Sequence, residues 1–150
     1  MSYANDMPST ALDPALASRL RMSVMRLGRR LRQQRADDNL TPSQIAALAT
    51  LDRDGALTLA ELAGREHVQP PSMHRITGVL EELGLVTRTP HPTDGRQVLI
   101  QVTEAGARLL AEDRKRRDAW LCGRLRDLTP DEVRTLREAA PILERLATER

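Results

Sequence analysis

The sequence predicts a mainly helical fold in which three short helices and a small β-hairpin lie between longer terminal helices. The 150 residues include no Phe, one Tyr and one Trp, so the core must consist of Leu, Ile, Val, Ala and Met, which suits packed helices. Apolar residues recur at helical spacing along most of the chain. Two β-prone runs flank an Asp-Gly turn. The length is that of about one domain.

The first helix is predicted from one apolar stripe with spacings of three and four. The stripe consists of Leu12, Leu16, Leu20, Val24, Leu27 and Leu31. Asp13 and Pro14 open this helix, and the polar run 37–39 interrupts its pattern. Residues 1–11 are expected to be flexible, and residues 12–40 to form an N-terminal helical segment.

Capping boxes predict the next two helices. In the first, Thr41 and Gln44 exchange hydrogen bonds, and the helix is expected to end near Leu51 before a turn over 52–56. In the second box, Thr58 and Glu61 have the same spacing and open a short helix that ends near His67. The helix after it starts at the proline pair Pro70 and Pro71.

The helix from Pro70 is predicted to bury one face and to stop at a glycine. The buried stripe is expected to contain Met73, Ile76, Leu80 and Leu83. Gly84 suits a left-handed cap, with Leu85 folding back onto the last turn. The β-prone runs 85–89 and 97–102 then form a hairpin with a protruding tip.

Two further helices are predicted after the hairpin. Thr103 caps a long helix that continues to Leu125 through a charged stretch, 112–118, which is expected to be solvated. Another capping box, at Thr129 and Glu132, opens the last helix. The single cysteine, Cys122, is interpreted as a packed thiol, and it excludes an intramolecular disulfide.

Two short helices followed by a hairpin are typical of a winged helix-turn-helix, here over residues 41–102. The apolar stripes of residues 12–40 and 103–150 are too long for this small unit to cover, so a two-fold homodimer of intertwined chains is expected. The residues predicted to lie in the dimer interface are Leu12, Leu16, Leu20, Trp120, Leu136 and Leu143.

Four short motifs occur in a characteristic order: Leu40-Thr41-Pro42-Ser43-Gln44, Leu59-Ala60-Glu61-Leu62-Ala63, Leu80-Glu81-Glu82-Leu83-Gly84-Leu85-Val86 and Asp94-Gly95-Arg96. In this order, the motifs resemble those of the MarR (multiple antibiotic resistance regulator) family of bacterial transcription factors. The resemblance implies a homodimer that binds pseudo-palindromic double-stranded DNA, usually a repressor that a small ligand or oxidant releases. The ligands of relatives include aromatic acids, so a small aromatic or other lipophilic ligand is a possible partner.

Candidate DNA contacts lie on the exposed face of the helix from Pro70 and on the hairpin, called the wing. The helix residues are Pro71, Ser72, His74, Arg75 and Gly78. The wing residues are Arg88, Asp94 and Arg96. Arg96 resembles the wing arginine of the family, which enters the minor groove, and Arg88 is expected to face the DNA backbone.

Other classes are disfavoured. The sequence has no phosphate-binding Gly-rich loop, no Gly-x-Ser-x-Gly elbow and no paired Cys/His set, so neither an enzyme nor a metal or cofactor site is expected. It has neither a signal peptide nor an apolar run that would span a bilayer, so a cytoplasmic protein without a membrane partner is expected. Residues 42–101 carry five Arg and seven Asp or Glu, a net charge of −2. That balance leaves open a winged-helix module that binds a protein instead of DNA.

Overall fold

The computed structural model describes residues 13–35 and 39–148 and divides into two compact units, one ending at Gln33 and one beginning at Gln34. The segment 1–11 predicted to be flexible, and the predicted interface residue Leu12, lie outside the described residues. The first unit contains one helix, α1 (Pro14–Arg32). As predicted, Asp13 caps it: the Asp13 carboxylate accepts a hydrogen bond of 3.0 Å from the backbone N–H of Leu16.

The second unit contains a three-stranded antiparallel sheet and five helices among its described residues. The elements are α2 (Pro42–Asp54), β1 (Leu57–Thr58), α3 (Leu59–Glu66), α4 (Pro70–Glu82), β2 (Val86–Pro90), β3 (Val98–Val102), α5 (Glu104–Leu125) and α6 (Pro130–Thr148). The strand order is β1-β3-β2. The hairpin was predicted but β1 was not, because a two-residue strand carries no periodic signal. In β1, Leu57 pairs with Ile100.

The predicted capping boxes are confirmed, and α2 is longer than expected. In each box the threonine hydroxyl accepts the backbone N–H three residues on, and the Gln or Glu side chain accepts the threonine N–H. The pairs are Thr41 with Gln44, Thr58 with Glu61 and Thr129 with Glu132, with distances of 2.8 to 3.3 Å. The predicted turn over 52–56 is wrong in its first half, because α2 runs on to Asp54. Gly55, with φ of 84°, then ends it.

The core lies between α2, α3, α4 and the sheet. Its completely buried large side chains include Leu48, Leu51, Leu62, Met73, Leu80 and Ile100. One tight contact joins α5 to this core: a Cβ on Gly106 would lie 2.3 Å from the carbonyl oxygen of Leu85. Thr103 reinforces the junction, since its N–H donates to that same carbonyl at 2.9 Å and its hydroxyl donates to the carbonyl of Gly84. The start of α5 is therefore fixed to the turn that follows α4.

The predicted buried face of α4 is partly wrong. Met73 and Leu80 are buried, Ile76 is half-buried, and Leu83 is 53% exposed. Thr77 is fully buried in their place, because its hydroxyl donates to the carbonyl of Met73 at 3.0 Å and so needs no water. The end of the helix is as predicted.

That end is a left-handed glycine cap. Gly84 has φ of 72°, and the N–H of Leu85 donates to the carbonyl of Leu80 at 2.9 Å. Leu85 is buried, so it does fold back onto the last turn of α4.

Two expectations about α5 are wrong. Asp113, in the stretch expected to be solvated, is only 1% exposed, because it lies on the same face as Leu110 where α5 packs on α2; Arg117 approaches it at 3.5 Å. Cys122 is exposed instead of packed, since this part of α5 has left the core. Helix α6 continues through Pro141 and has no buried residue.

Candidate nucleic-acid interface

The exposed face of α4 presents most of the predicted helix contacts. Because Met73 and Leu80 anchor one side of α4 in the core, the other side is turned outwards. Pro71, His74 and Arg75 are exposed there, and Ser72 and Gly78 are half-buried. Five predicted residues therefore occur on one helix of one unit, but how they contact DNA stays a prediction.

The first turn of α4 brings a hydroxyl and a guanidinium together. Gln69 is the N-cap residue without a side-chain cap, and the two prolines that follow have no N–H to leave unsatisfied. Arg75 Nη2 donates to Ser72 Oγ at 3.2 Å. A phosphate oxygen or a base edge could receive hydrogen bonds from both side chains at once.

Gly78 faces open space. A Cβ built at this position would meet no heavy atom within 4 Å, so packing inside the chain does not require glycine. A glycine on an exposed helix face lowers helix stability by about 1 kcal/mol relative to alanine, yet it lets another molecule approach the backbone closely.

The tip of the wing is a hydrogen-bonded turn that carries Arg96. The N–H of Gln97 donates to the carbonyl of Asp94 at 3.1 Å, and Asp94 Oδ1 accepts the backbone N–H of Arg96 at 3.0 Å. Asp94 therefore holds Arg96 through its main chain. Arg96 itself is exposed.

Arg88 is engaged within the chain. Its Nε donates to Glu81 Oε2 at 2.7 Å, and its Nη2 lies 3.5 Å from the buried hydroxyl of Thr77. These bonds connect β2 to α4, so Arg88 ties the wing to the helix. Its predicted contact with the DNA backbone stays a prediction, and it would compete with Glu81 for the guanidinium.

Residues 42–101 carry a net negative charge, yet their ion pairs engage only some of the arginines. Residues 42–101 are all described, and three of their five arginines are in ion pairs: Arg53 and Arg65 with Asp54, and Arg88 with Glu81. The hydrogen bond from Arg53, followed by that from Arg65, holds the pKa of Asp54 below its usual range. Arg75 and Arg96, in no such pair, are the two that the sequence placed on the outer face of α4 and at the wing tip.

Sequence reasoning missed the buried Thr77 and the Glu81 tether. Thr77 was detectable, because Met73, Thr77 and Leu80 follow the same helical spacing as the chosen stripe. The pairing of Glu81 with Arg88 was not, because it joins two elements whose approach depends on the packed fold.

The space between α3 and the wing is a cavity of about 530 Å³, lined by residues that include Glu61, Arg88 and Arg96. Within the described ranges, no group of three His, Cys, Asp or Glu side chains could hold a metal ion. No described helix is long and apolar enough to cross a membrane.

The predicted interface residues that the structure describes are exposed or half-buried. Leu16 on α1 and Leu136 and Leu143 on α6 are exposed, while Leu20 and Trp120 are half-buried. The Trp120 ring carries the guanidinium of Arg124, 5.4 Å from the ring centre. Their place in a dimer stays a prediction.

Comparison with known proteins gives matches over nearly the whole chain. The MarR family model matches residues 40–98. An uncharacterized HTH-type transcriptional regulator of Mycobacterium bovis is 46% identical over 137 residues, which are 91% of this chain and 96% of the relative.

Solved structures match as well. The crystal structure of a transcriptional regulator protein from Pseudomonas aeruginosa has a TM-score of 0.83 and 32% identity, covering 94% of this chain and 99% of that one. A MepR variant of S. aureus bound to an oligodeoxyribonucleotide has the same fold, with a TM-score of 0.68 and 19% identity over 90% of this chain and 98% of that one. The chain therefore belongs to the MarR family of winged helix-turn-helix transcriptional regulators.

Proposed function

We propose that the chain is a homodimeric repressor that reads a pseudo-palindromic operator with α4 and the wing. The observation that carries this proposal is the pair Arg75 and Arg96, exposed and outside the ion pairs that engage the other arginines of residues 42–101. Guanidiniums outside ion pairs, at a helix face and a hairpin tip, are suited to DNA, because a bond to a phosphate or base breaks no ion pair within the protein.

Each side chain has a role that its chemistry supports. Arg75 binds guanine O6 and N7 or a phosphate, with Ser72 donating beside it, and His74 donates to a base edge or a phosphate. Arg96 enters the minor groove at an A·T-rich flank, where the negative potential is concentrated. Pro71 and Gly78 allow close approach of the backbone.

A second copy of the chain covers the apolar stripes. Leu16 on α1 is exposed, and so are Leu136 and Leu143 on α6, and exposed apolar side chains on a helix support an interface there. Two-fold symmetry places the half-sites roughly 10 base pairs apart, about one turn of DNA.

A small aromatic or other lipophilic ligand would release the repressor, as the family resemblance implies, and the protein would act in the cytoplasm, where the operator is. A winged-helix module that uses the same helix and wing to bind an acidic protein partner is the rival function. The net charge of −2 on residues 42–101 is explained equally well by that rival.

The deciding experiment selects bound fragments from a random double-stranded DNA library at physiological salt. We expect one palindromic sequence, bound at least ~10³-fold more tightly than scrambled DNA, with an affinity that falls steeply with salt. Absence of enrichment with ligand-free refolded protein would contradict the proposal and support the protein-binding module.

The contribution of single arginines is measured on the selected sequence. Arg75→Ala should weaken binding by roughly 1–3 kcal/mol and relax the preference at one base pair, and Arg96→Ala should weaken binding mainly to A·T-rich flanks. Arg108→Ala removes an equal charge from an exposed position of α5 and serves as the control. An equal loss for Arg75→Ala on random DNA would contradict base reading.

A further inference from the structure

The loop between β2 and β3 is closed by a histidine side chain. His91 Nδ1 accepts the backbone N–H of Thr93 at 3.2 Å and that of Asp94 at 3.1 Å. A ring nitrogen accepts hydrogen bonds only when it carries no proton, so this geometry requires the neutral imidazole with its proton on Nε2. His91 is half-buried, and its backbone N–H donates to the carbonyl of Gln97 at 3.1 Å.

These bonds lead directly to Arg96. Asp94 gives its N–H to His91, accepts the N–H of Arg96 on its carboxylate and accepts the N–H of Gln97 on its carbonyl. Two consecutive bonds therefore run from the imidazole through Asp94 to the backbone N–H of Arg96, and a third joins Asp94 to Gln97. Loss of the first bond frees the residue that holds the other two.

We propose that His91 is a positioning residue for the wing, and that its protonation releases the turn that orients Arg96, so that DNA binding weakens on mild acidification. This inference rests on the proposed function only in assigning Arg96 to DNA. The cap itself belongs to the free protein.

The charged groups around His91 act in opposite directions. Glu61 of α3 is ionised: bonds from the backbone and hydroxyl of Thr58 lower the pKa of Glu61, and the charge of Arg65 lowers it further. Arg88 of β2 and Arg96 line the same cavity as Glu61, and Asp94 lies in the loop. When Nδ1 gains a proton, it faces two N–H donors, while Glu61 offers an acceptor for the imidazolium. Protonation therefore favours movement of the ring away from the turn.

Two variants separate the cap from its titration. In His91→Asn the amide oxygen is attached at the same position along the side chain as Nδ1, and it accepts hydrogen bonds at every relevant pH. His91→Ala removes the acceptor altogether. His67 and His74 are unchanged in both, so their titration cancels when each variant is compared with the wild type at the same pH.

The first readout is affinity for the selected operator at about pH 8 and about pH 5.5, on either side of the usual histidine titration. At the higher pH we expect His91→Asn to bind within about twofold of wild type and His91→Ala about three- to tenfold more weakly, the range for one or two lost hydrogen bonds. At the lower pH the wild type should fall about three- to tenfold below His91→Asn. A constant ratio between wild type and His91→Asn at both pH values would overturn the proposal.

The second readout needs no DNA. In NMR spectra of the free protein, the amide resonances of Thr93 and Asp94 should move with the titration of the His91 ring in the wild type, and should stay fixed in His91→Asn. If these amide resonances do not move as the His91 ring titrates, the proposed cap is overturned. If the wild type binds no DNA even at the higher pH, the proposed function fails while these amides still decide whether His91 holds the turn.

Discussion

The winged unit and the terminal helices use similar residues in opposite ways. Helices α2, α3 and α4 bury Leu48, Leu62 and Leu80 completely within one chain, whereas α1 and α6 have no buried residue at all. Both α1 and α6 nevertheless carry regular apolar stripes. A stripe that finds no cover in its own chain indicates an interface with another molecule, so we expect that one region is folded by its own core and that the other depends on association.

The largest expected effect tests that dependence. Leu136→Asp places a carboxylate in the apolar stripe of α6 and should weaken dimerisation by roughly 3–5 kcal/mol, because the charge has no partner there. Analytical ultracentrifugation would measure the dimer dissociation constant, and operator affinity should fall with it.

Arg137→Asp on the same helix is the matched control, since it introduces the same side chain at an exposed, already charged position. An unchanged dimer in Leu136→Asp would remove α6 from the interface and leave the comparison between the two regions without its explanation.

The next effect concerns the core of the winged unit. Leu80→Ala should lower the free energy of unfolding by about 2–5 kcal/mol, because a fully buried leucine leaves a cavity. Leu83→Ala, three residues on and 53% exposed, should change it far less. Urea denaturation of both variants measures the difference. Equal losses would mean that another molecule buries Leu83, as we propose for the terminal stripes.

Equivalent helix caps should act differently in the two regions. Thr58→Ala and Thr129→Ala each remove a capping box worth about 1 kcal/mol. For Thr58 we expect that loss in the unfolding free energy measured at any protein concentration. For Thr129 we expect it in the dimer dissociation constant, because we propose that association stabilises α6. If Thr58→Ala changed only the dimer dissociation constant and Thr129→Ala changed the unfolding free energy at any protein concentration, the comparison between the two regions would be reversed.

The smallest effect is one of pH. Since the pKa of Asp54 is lowered, its ionised form contributes stability above the ordinary aspartate pKa, and this contribution disappears as the pH falls through the lowered value. The stability difference between wild type and Asp54→Asn should therefore shrink below about pH 4. Thermal unfolding across this range measures it. Asp131→Asn on α6, where the ion pair with Arg134 is exposed, should cost little at any pH.

The sequence predicted the helices well where their signals are local. Capping pairs such as Thr41 with Gln44, and the glycine at 84, determine ends through neighbouring backbone groups, so they can be found from spacing alone. Asp113 and Leu83 were assigned wrongly because burial depends on which helices meet. The outer face of α4 followed from its period, but the bond from Arg88 to Glu81, which connects the wing to α4, joins groups that only the folded chain brings together.

The junction at Thr103 has a mechanical consequence. Its N–H and hydroxyl bind the carbonyls of Leu85 and Gly84, and Gly106 presses against the same turn, so there is no slack between the end of α4 and the start of α5. We therefore expect that a tilt of α5 would rotate α4 with it. In a dimer, the distance between the two reading helices would be fixed by the angle between the two long helices, and a change of a few degrees there would put the pair out of step with the turn of the DNA.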